Sequence, residues 1–163
     1  MAYLFVDPRI GAQPIAETSA TARHALGTIV RAKDATYGEG EFIYAIGVGS
    51  TVVGSIVNYD AVYQTALHTS ALNVPRPLAV AMSVNLAAGY GWYQISGQAV
   101  IAKDPALSLG IGEAIGAASG LAVVVATGSI LNGMCVAALA SATTPSTSVR
   151  VMINRPHDTS DVS

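Results

Sequence analysis

From residue 24 onward the chain keeps a period of two. Leu26, Thr28 and Val30 alternate with Gly27, Ile29 and Arg31. Phe42, Tyr44 and Ile46 alternate with Ile43, Ala45 and Gly47. Leu78, Val80, Met82, Val84 and Leu86 alternate with Ala79, Ala81, Ser83 and Asn85, and Val149, Val151 and Ile153 with Arg150, Met152 and Asn154. Successive side chains of a strand point to opposite faces, so this period predicts short strands. Turn signals separate the runs: Tyr37-Gly38-Glu39-Gly40, residues 73–77, and Thr144-Pro145-Ser146. Leu121 to Ala126 is a further β-branched run. Asn132-Gly133 reads as a hairpin dipeptide, with Met134 to Leu139 as its return strand. Ala61–Leu72 and Ala106–Ser119 are ambiguous, with room for one short helix each. The expectation is an all-β chain, a jelly-roll-like β-sandwich or barrel. It consists of an extended N-terminal arm over 1–23, a single β-domain over 24–156 and a polar C-terminal tail over 157–163. Pro8 and Pro14 interrupt any helix in the arm.

Residues 114–149 contain no Lys, Arg, Asp or Glu. They do not read as a membrane span. The apolar window from Leu121 to Ala142 is thinned by Thr127, Gly128, Ser129, Asn132, Gly133 and Ser141, and no basic cluster flanks it. They read instead as core strands plus an edge or face covered by another subunit. Composition extends this picture. Of 163 residues, 52% are hydrophobic but only 11% are charged, against about 25% in an ordinary globular chain. Much of the surface is therefore expected to be covered by other protein, with self-association as a dimer or trimer. The formal charge of -2, without a Lys/Arg cluster, argues against nucleic acid as a partner. The N-terminus lacks the basic region of a signal peptide.

Candidate chemistry is sparse. Gly49-Ser50-Thr51-Val52-Val53-Gly54-Ser55 has the glycine spacing of a phosphate loop but lacks its lysine. Gly110-Ile111-Gly112-Glu113-Ala114-Ile115-Gly116 would need a βαβ setting that the pattern does not offer. Both read as turns between strands. His24, His68 and His157 have no second ligand at metal-binding spacing. Cys135 reads as a small core residue, and Glu39 and Glu41 as a solvated turn. No catalytic, cofactor-binding or metal residue is expected, nor a small-molecule substrate. The expected contact residues are Tyr3, Leu4, Phe5 and Val6, an apolar tip that hooks a neighbour, and Trp92. In a strand, Trp92 shares its face with Gln94, Ser96 and Gln98, opposite a core-like face of Tyr93, Ile95, Gly97 and Ala99. It is either an interface anchor or a core residue at a strand end.

The order of several segments resembles a family of small tailed-phage capsid decoration (cement) proteins. The matching pieces are Ala35 to Tyr44, Gly47 to Ser55, Ala79 to Ser83, Tyr90-Gly91-Trp92-Tyr93-Gln94-Ile95-Ser96-Gly97, Thr144 to Thr147 and Arg155-Pro156. They lie within residues 24–156. The resemblance implies a jelly-roll-like domain on the outside of the shell that clamps neighbouring major capsid protein subunits. It implies no catalytic residues. The expected location is the virion, after synthesis in the host cytoplasm. A tail or head-fibre subunit and a non-viral β-barrel binding module, with Trp92 in a ligand pocket, remain the alternative readings.

Overall fold

The computed structural model describes residues 4–5, 11, 13–69, 76–85, 87–124, 130–138 and 146–158. The described residues form strands, turns and loops, with no helix among them. In chain order the strands are β1 (Leu4–Phe5), β2 (Thr18–Ser19), β3 (Ile29–Asp34), β4 (Gly38–Ile46), β5 (Ile56–Tyr59) and β6 (Thr65–Leu67). They continue with β7 (Leu78–Ala81), β8 (Tyr90–Ala102), β9 (Ile115–Ala118), β10 (Leu121–Val124), β11 (Leu131–Ala138) and β12 (Ser148–Asp158). Ten of them make one antiparallel sheet with the order β1-β3-β4-β8-β7-β5-β6; β12 joins at β8 and carries β11, and β2 also pairs with β8. β9 and β10 form a separate hairpin.

β8 is the strand that the others share. Its first half pairs with β4, from Ile46↔Tyr90 to Glu41↔Ser96, while β2 and β7 also pair with it. Its second half pairs with β12, from Asn154↔Ser96 to Ser148↔Ala102. Both pairings include Ser96; the next residue, Gly97, has φ +100°, and a Cβ there would lie 2.4 Å from the Glu39 carbonyl oxygen. A register shift between Glu41 and Phe42 marks the same place on β4. Bulges of this kind bend a strand and end a pairing.

Alternation along the strands divides the interior into three apolar clusters. The largest gathers Ile56 and Val80 with Ala99, Ile101, Ile115, Val149, Val151 and Ile153. The β9–β10 hairpin covers it, since Ile56 N–H donates to the Gly120 carbonyl (2.8 Å) and Gly120 N–H to that of His68 (2.8 Å). Bridges at Lys103↔Ala122 and Ala114↔Cys135 tie the same hairpin to the end of β8 and to the middle of β11. The second cluster holds Phe42, Tyr44, Met82 and Trp92, and the third Ile43, Val57, Tyr93 and Ile95.

Several expectations change. Ala61–Leu72 holds no described helix: Asp60 Oδ1 accepts the N–H groups of Val62 and Gln64 (2.9 Å each), which closes a turn into β6. Residues 70–72 lie outside the described residues. In Ala106–Ser119 the ordered element is strand β9, because Ile115 and Ala117 face the core at a period of two. Asn132-Gly133 is not a hairpin turn. It lies inside β11 as a bulge, Gly133 having φ +75° and no room for a Cβ beside the Asn154 carbonyl oxygen. β11 therefore returns along β12 rather than along β10, and the expected end of that strand at Leu139 falls outside the described residues. Residues 157 and 158 are strand, not tail: Asp158 pairs with Leu131 and is buried.

Residues 13–19 belong to the domain rather than to a free arm. Ile15 packs in the second cluster, and β2 pairs with Tyr90 and Gly91. Gln13 is buried and makes four side-chain bonds. Its Oε1 accepts from the Tyr44 hydroxyl (2.8 Å) and Ser19 Oγ (3.1 Å), and its Nε2 donates to the carbonyls of Glu17 (2.8 Å) and Tyr90 (3.4 Å).

Two predictions follow from this frame. Gly97→Ala should lower stability by at least about 2 kcal/mol in urea unfolding, because alanine adds left-handed strain to a clash with β4 backbone. The second concerns acid. His68, at the end of β6, lies 3.7 Å from Asp158 (Nε2 to Oδ2) with both side chains nearly buried. Burial lowers its pKa below the ordinary 6.5, an effect that Asp158 opposes in part. His24 is lowered in the same direction by burial and by Arg23. A base held neutral in the fold takes up fewer protons than in the unfolded chain. Its stabilising effect is complete above the unfolded pKa and is lost as pH falls below it. Thermal melts should decline below about pH 6.5, and His68→Gln should flatten that decline.

Candidate functional site

Trp92, one of the expected contact residues, lies in the core and not on a contact face. It is 0% exposed. Its ring packs at 4.9 Å against Tyr44 and 5.1 Å against His24, and its Nε1 donates to the Gln13 carbonyl (3.0 Å). Of the polar residues on its face, Gln94 is buried and Ser96 and Gln98 are half-buried. Gln94 is fully covered and turns its Nε2 to the carbonyls of Ser96 (3.1 Å) and Gln98 (2.9 Å). A glutamine whose amide N–H groups bond to its own strand can be buried, so polarity did not mark Gln94 as surface. Of the expected hook, Leu4 and Phe5 form β1 on the edge of β3, with registers Leu4↔Lys33 and Phe5↔Ala32. Leu4 is 74% exposed. The described part of the tip thus adds an edge strand to its own chain. Tyr3 and Val6 lie outside the described residues. Cys135 is exposed rather than buried, since its neighbours Met134 and Val136 take the inward positions of β11.

The two glycine-rich segments are turns. Gly54 N–H donates to the Ala81 carbonyl (2.8 Å) and Ala102 N–H to that of Gly54 (2.9 Å). A Cβ at Gly54 would lie 2.8 Å from Ala102 N, and its φ is +88°. The glycine is needed because this turn is wedged between β7 and β8, not to admit a phosphate. In the second segment Gly112 has φ +78° and donates its N–H to the Val136 carbonyl (2.9 Å), a turn leading into β9. Among the described residues no group of three His, Cys, Asp or Glu side chains is placed to hold a metal ion.

The wedged turn positions a surface that the sequence pattern did not single out. Ser55 N–H donates to the Val52 carbonyl (3.0 Å) and Val52 N–H to Ser55 Oγ (3.1 Å), so the chain closes tightly around Val52-Val53. Thr51, Gly54 and Ser55 are buried, which turns both valines outward, about half exposed. Val84 is forced out in the same way. Ser83 and Asn85 on either side are buried, and the Asn85 amide donates to the Tyr93 hydroxyl. That amide fills the space that Gly47 and Gly91 leave open, with contacts at 2.7–3.0 Å to a Cβ placed at Gly47 and 3.0 Å to one at Gly91. Val53 and Val84 then line an open cavity of about 370 Å³ with Ile15, Ala16, Met82 and Ser83. No charged side chain lines it. The available signal was the valine pair in a glycine loop, but only the packing shows that its neighbours take the interior.

Compared with protein families, curated proteins and solved structures, the chain shows no match.

The position of Trp92 yields a prediction. Trp92→Ala should cost about 3–5 kcal/mol of stability in chemical unfolding, the range for deleting a buried aromatic side chain. Val84→Ala, on the surface, should change it by less than about 0.5 kcal/mol.

Proposed function

We propose that this chain is a structural virion protein that binds the outside of a phage capsid and bridges major capsid protein subunits. The observation that carries the reading is the rigidly presented, uncharged surface at Val53 and Val84 on a chain with only 11% charged residues. Apolar side chains held outward by buried neighbours cannot fold inward to escape water. Each is about half exposed, so covering it contributes about 1 kcal/mol. The resemblance of Tyr90 to Gly97 and the other quoted segments to the decoration family supplies the identity of the partner. A jelly-roll-like domain and a homodimer or homotrimer on the virion belong to the same proposal.

The mechanism is thermodynamic and needs no active site. A protein that binds across a seam between subunits adds its binding free energy to the work of separating them. Repetition over the lattice multiplies the effect. A wide apolar contact suits this task better than ion pairs, which salt screens.

Cosedimentation of the purified chain with empty shells, imaged by negative stain, tests the reading. Binding to shells supports it. Binding to tails alone favours a tail or head-fibre subunit, and a soluble monomer that binds neither favours a non-viral binding module. In the first case, Val53→Asp combined with Val84→Asp should weaken shell binding by about tenfold or more while circular dichroism stays unchanged. Undiminished binding by that variant would remove the surface from the proposal.

A further inference from the structure

A second surface feature lies where β5, β6 and the end of β12 meet. Two clefts, of about 330 and 500 Å³, share Tyr59, Arg76 and Pro77 as lining. The smaller adds Ile95, Arg155, Pro156 and His157; the larger adds Asp60 and Tyr63. Each wall is held from behind. Arg76 is anchored through its backbone, whose carbonyl accepts the Asp158 N–H (3.1 Å), while Pro77 bridges to His157. Tyr63 sits at φ 60°, its ring over Gly27, where a Cβ would lie 2.3 Å from it. It stacks on Tyr59 at 6.5 Å and 20°. Arg155 has φ 44° within β12 and reaches Glu41 at 2.8 Å. Burial raises the Tyr59 pKa and Arg155 pulls it back, so that guanidinium is near enough to act on the phenol. Five non-glycine residues of the described chain have positive φ; of these, Tyr63 lines the larger cleft and Arg155 the smaller. Strained backbone of this kind gathers where side chains must be held in place.

The chemistry of the smaller cleft is one-sided. Its polar lining consists of two guanidiniums, an imidazole and a phenol, with no carboxylate. Arg76 forms no ion pair with a described residue, and Arg155 spends one nitrogen on Glu41. A ligand here must be rich in acceptors. A neutral sugar needs acceptors as well as donors; of the neighbouring carboxylates, Glu41 is engaged by Arg155, and Asp60 in the larger cleft holds two backbone N–H groups on Oδ1. A carboxylate matches the guanidinium fork. The prolines, Ile95 and the Tyr59 ring suit the carbon chain that carries it. We propose that this cleft binds a carboxylate group, with Arg76 and Arg155 as its cationic walls and Tyr59 beneath its apolar part.

The inference stands apart from the capsid reading, and its test uses the isolated chain. Amide shifts in ¹H–¹⁵N spectra are followed on titration with glutarate and with a short end-blocked Pro-Glu-Pro peptide. The matching Pro-Gln-Pro peptide is the control. Saturable shifts of Tyr59, Tyr63, Arg76 and His157 with a carboxylate ligand, but not with the Gln peptide, are the expected result. Arg76→Gln should weaken binding about tenfold or more, as expected on losing a charge-assisted pair. Arg155→Gln gives a second reading on a more exposed side chain, and the remaining amide positions show whether each variant is folded. A response to the peptide alone identifies an acidic side chain of a protein as the ligand, and a response to both admits free carboxylates. Equal binding of the Gln peptide, shifts scattered over the surface, or an Arg76→Gln chain that titrates like the parent overturns the proposal. Shell binding is measured separately, so failure here leaves that reading intact, and the reverse holds too.

Discussion

The fold depends on β8 changing partners at Ser96–Gly97. A strand of thirteen residues would ordinarily keep one neighbour on each side. Here one side carries β4 for the first half only, and the other side carries β2, β7 and then β12. Ser96 is the pivot, paired with both Glu41 and Asn154. Backbone groups must be paired wherever water is excluded. At the next residue, Gly97, β4 backbone comes so close that a Cβ would lie 2.4 Å from the Glu39 carbonyl oxygen. From this one bend the interior is partitioned. Trp92 faces the second cluster, Tyr93 and Ile95 the third, and Ala99 and Ile101 the first.

Buried polar side chains complete what the bend begins. Gln13 joins the N-terminal segment to Tyr44 and, through its carbonyl, to the Trp92 indole. Asn85 fills the space beside Gly47 and Gly91. Gln94 satisfies its amide donors on its own strand. Each is worth only about 0.5–1.5 kcal/mol per hydrogen bond. Their larger effect is on geometry, because a buried amide left unpaired costs more than a paired one contributes. Alternative placements of the same segments are thereby penalised. A chain with few charges relies on this means to reach a single packing.

The same rigidity shapes the two surface features. Val53 and Val84 are exposed because Gly54, Ser83 and Asn85 occupy the interior positions beside them. Tyr63 and Arg155 stand at the two adjoining clefts in left-handed backbone conformations. One surface offers aliphatic groups without charge, the other hydrogen-bond donors beside an aromatic pair. Side chains fixed in this way lose little conformational entropy on binding, which favours contact with a partner.

How much of this was legible depended on the range of the interaction. The period of two in Phe42–Ile46, Leu78–Ala81 and Val149–Ile153 marks strands, because side-chain direction within a strand is set locally. The same local logic made the two glycine-rich segments turns. Partner choice was not local. Asn132-Gly133 has hairpin chemistry, yet it became a bulge because β11 found β12 rather than β10. The polar face of β8 looked solvated, yet Gln94 and Trp92 are covered by segments from elsewhere in the chain. Residues 13–19 resembled an arm, and only the fit of Gln13 and Ile15 against β8 and β4 made them part of the domain. The candidate surfaces follow the same rule. Arg76 and Arg155 stand far apart in sequence, and what unites them is where β12 ends beside β5 and β7. Amino-acid order determined which segments extend and which turn, since those choices rest on neighbouring residues. The tertiary structure decided which faces meet, since that choice rests on backbone pairing and packing between segments that the chain brings together only when folded.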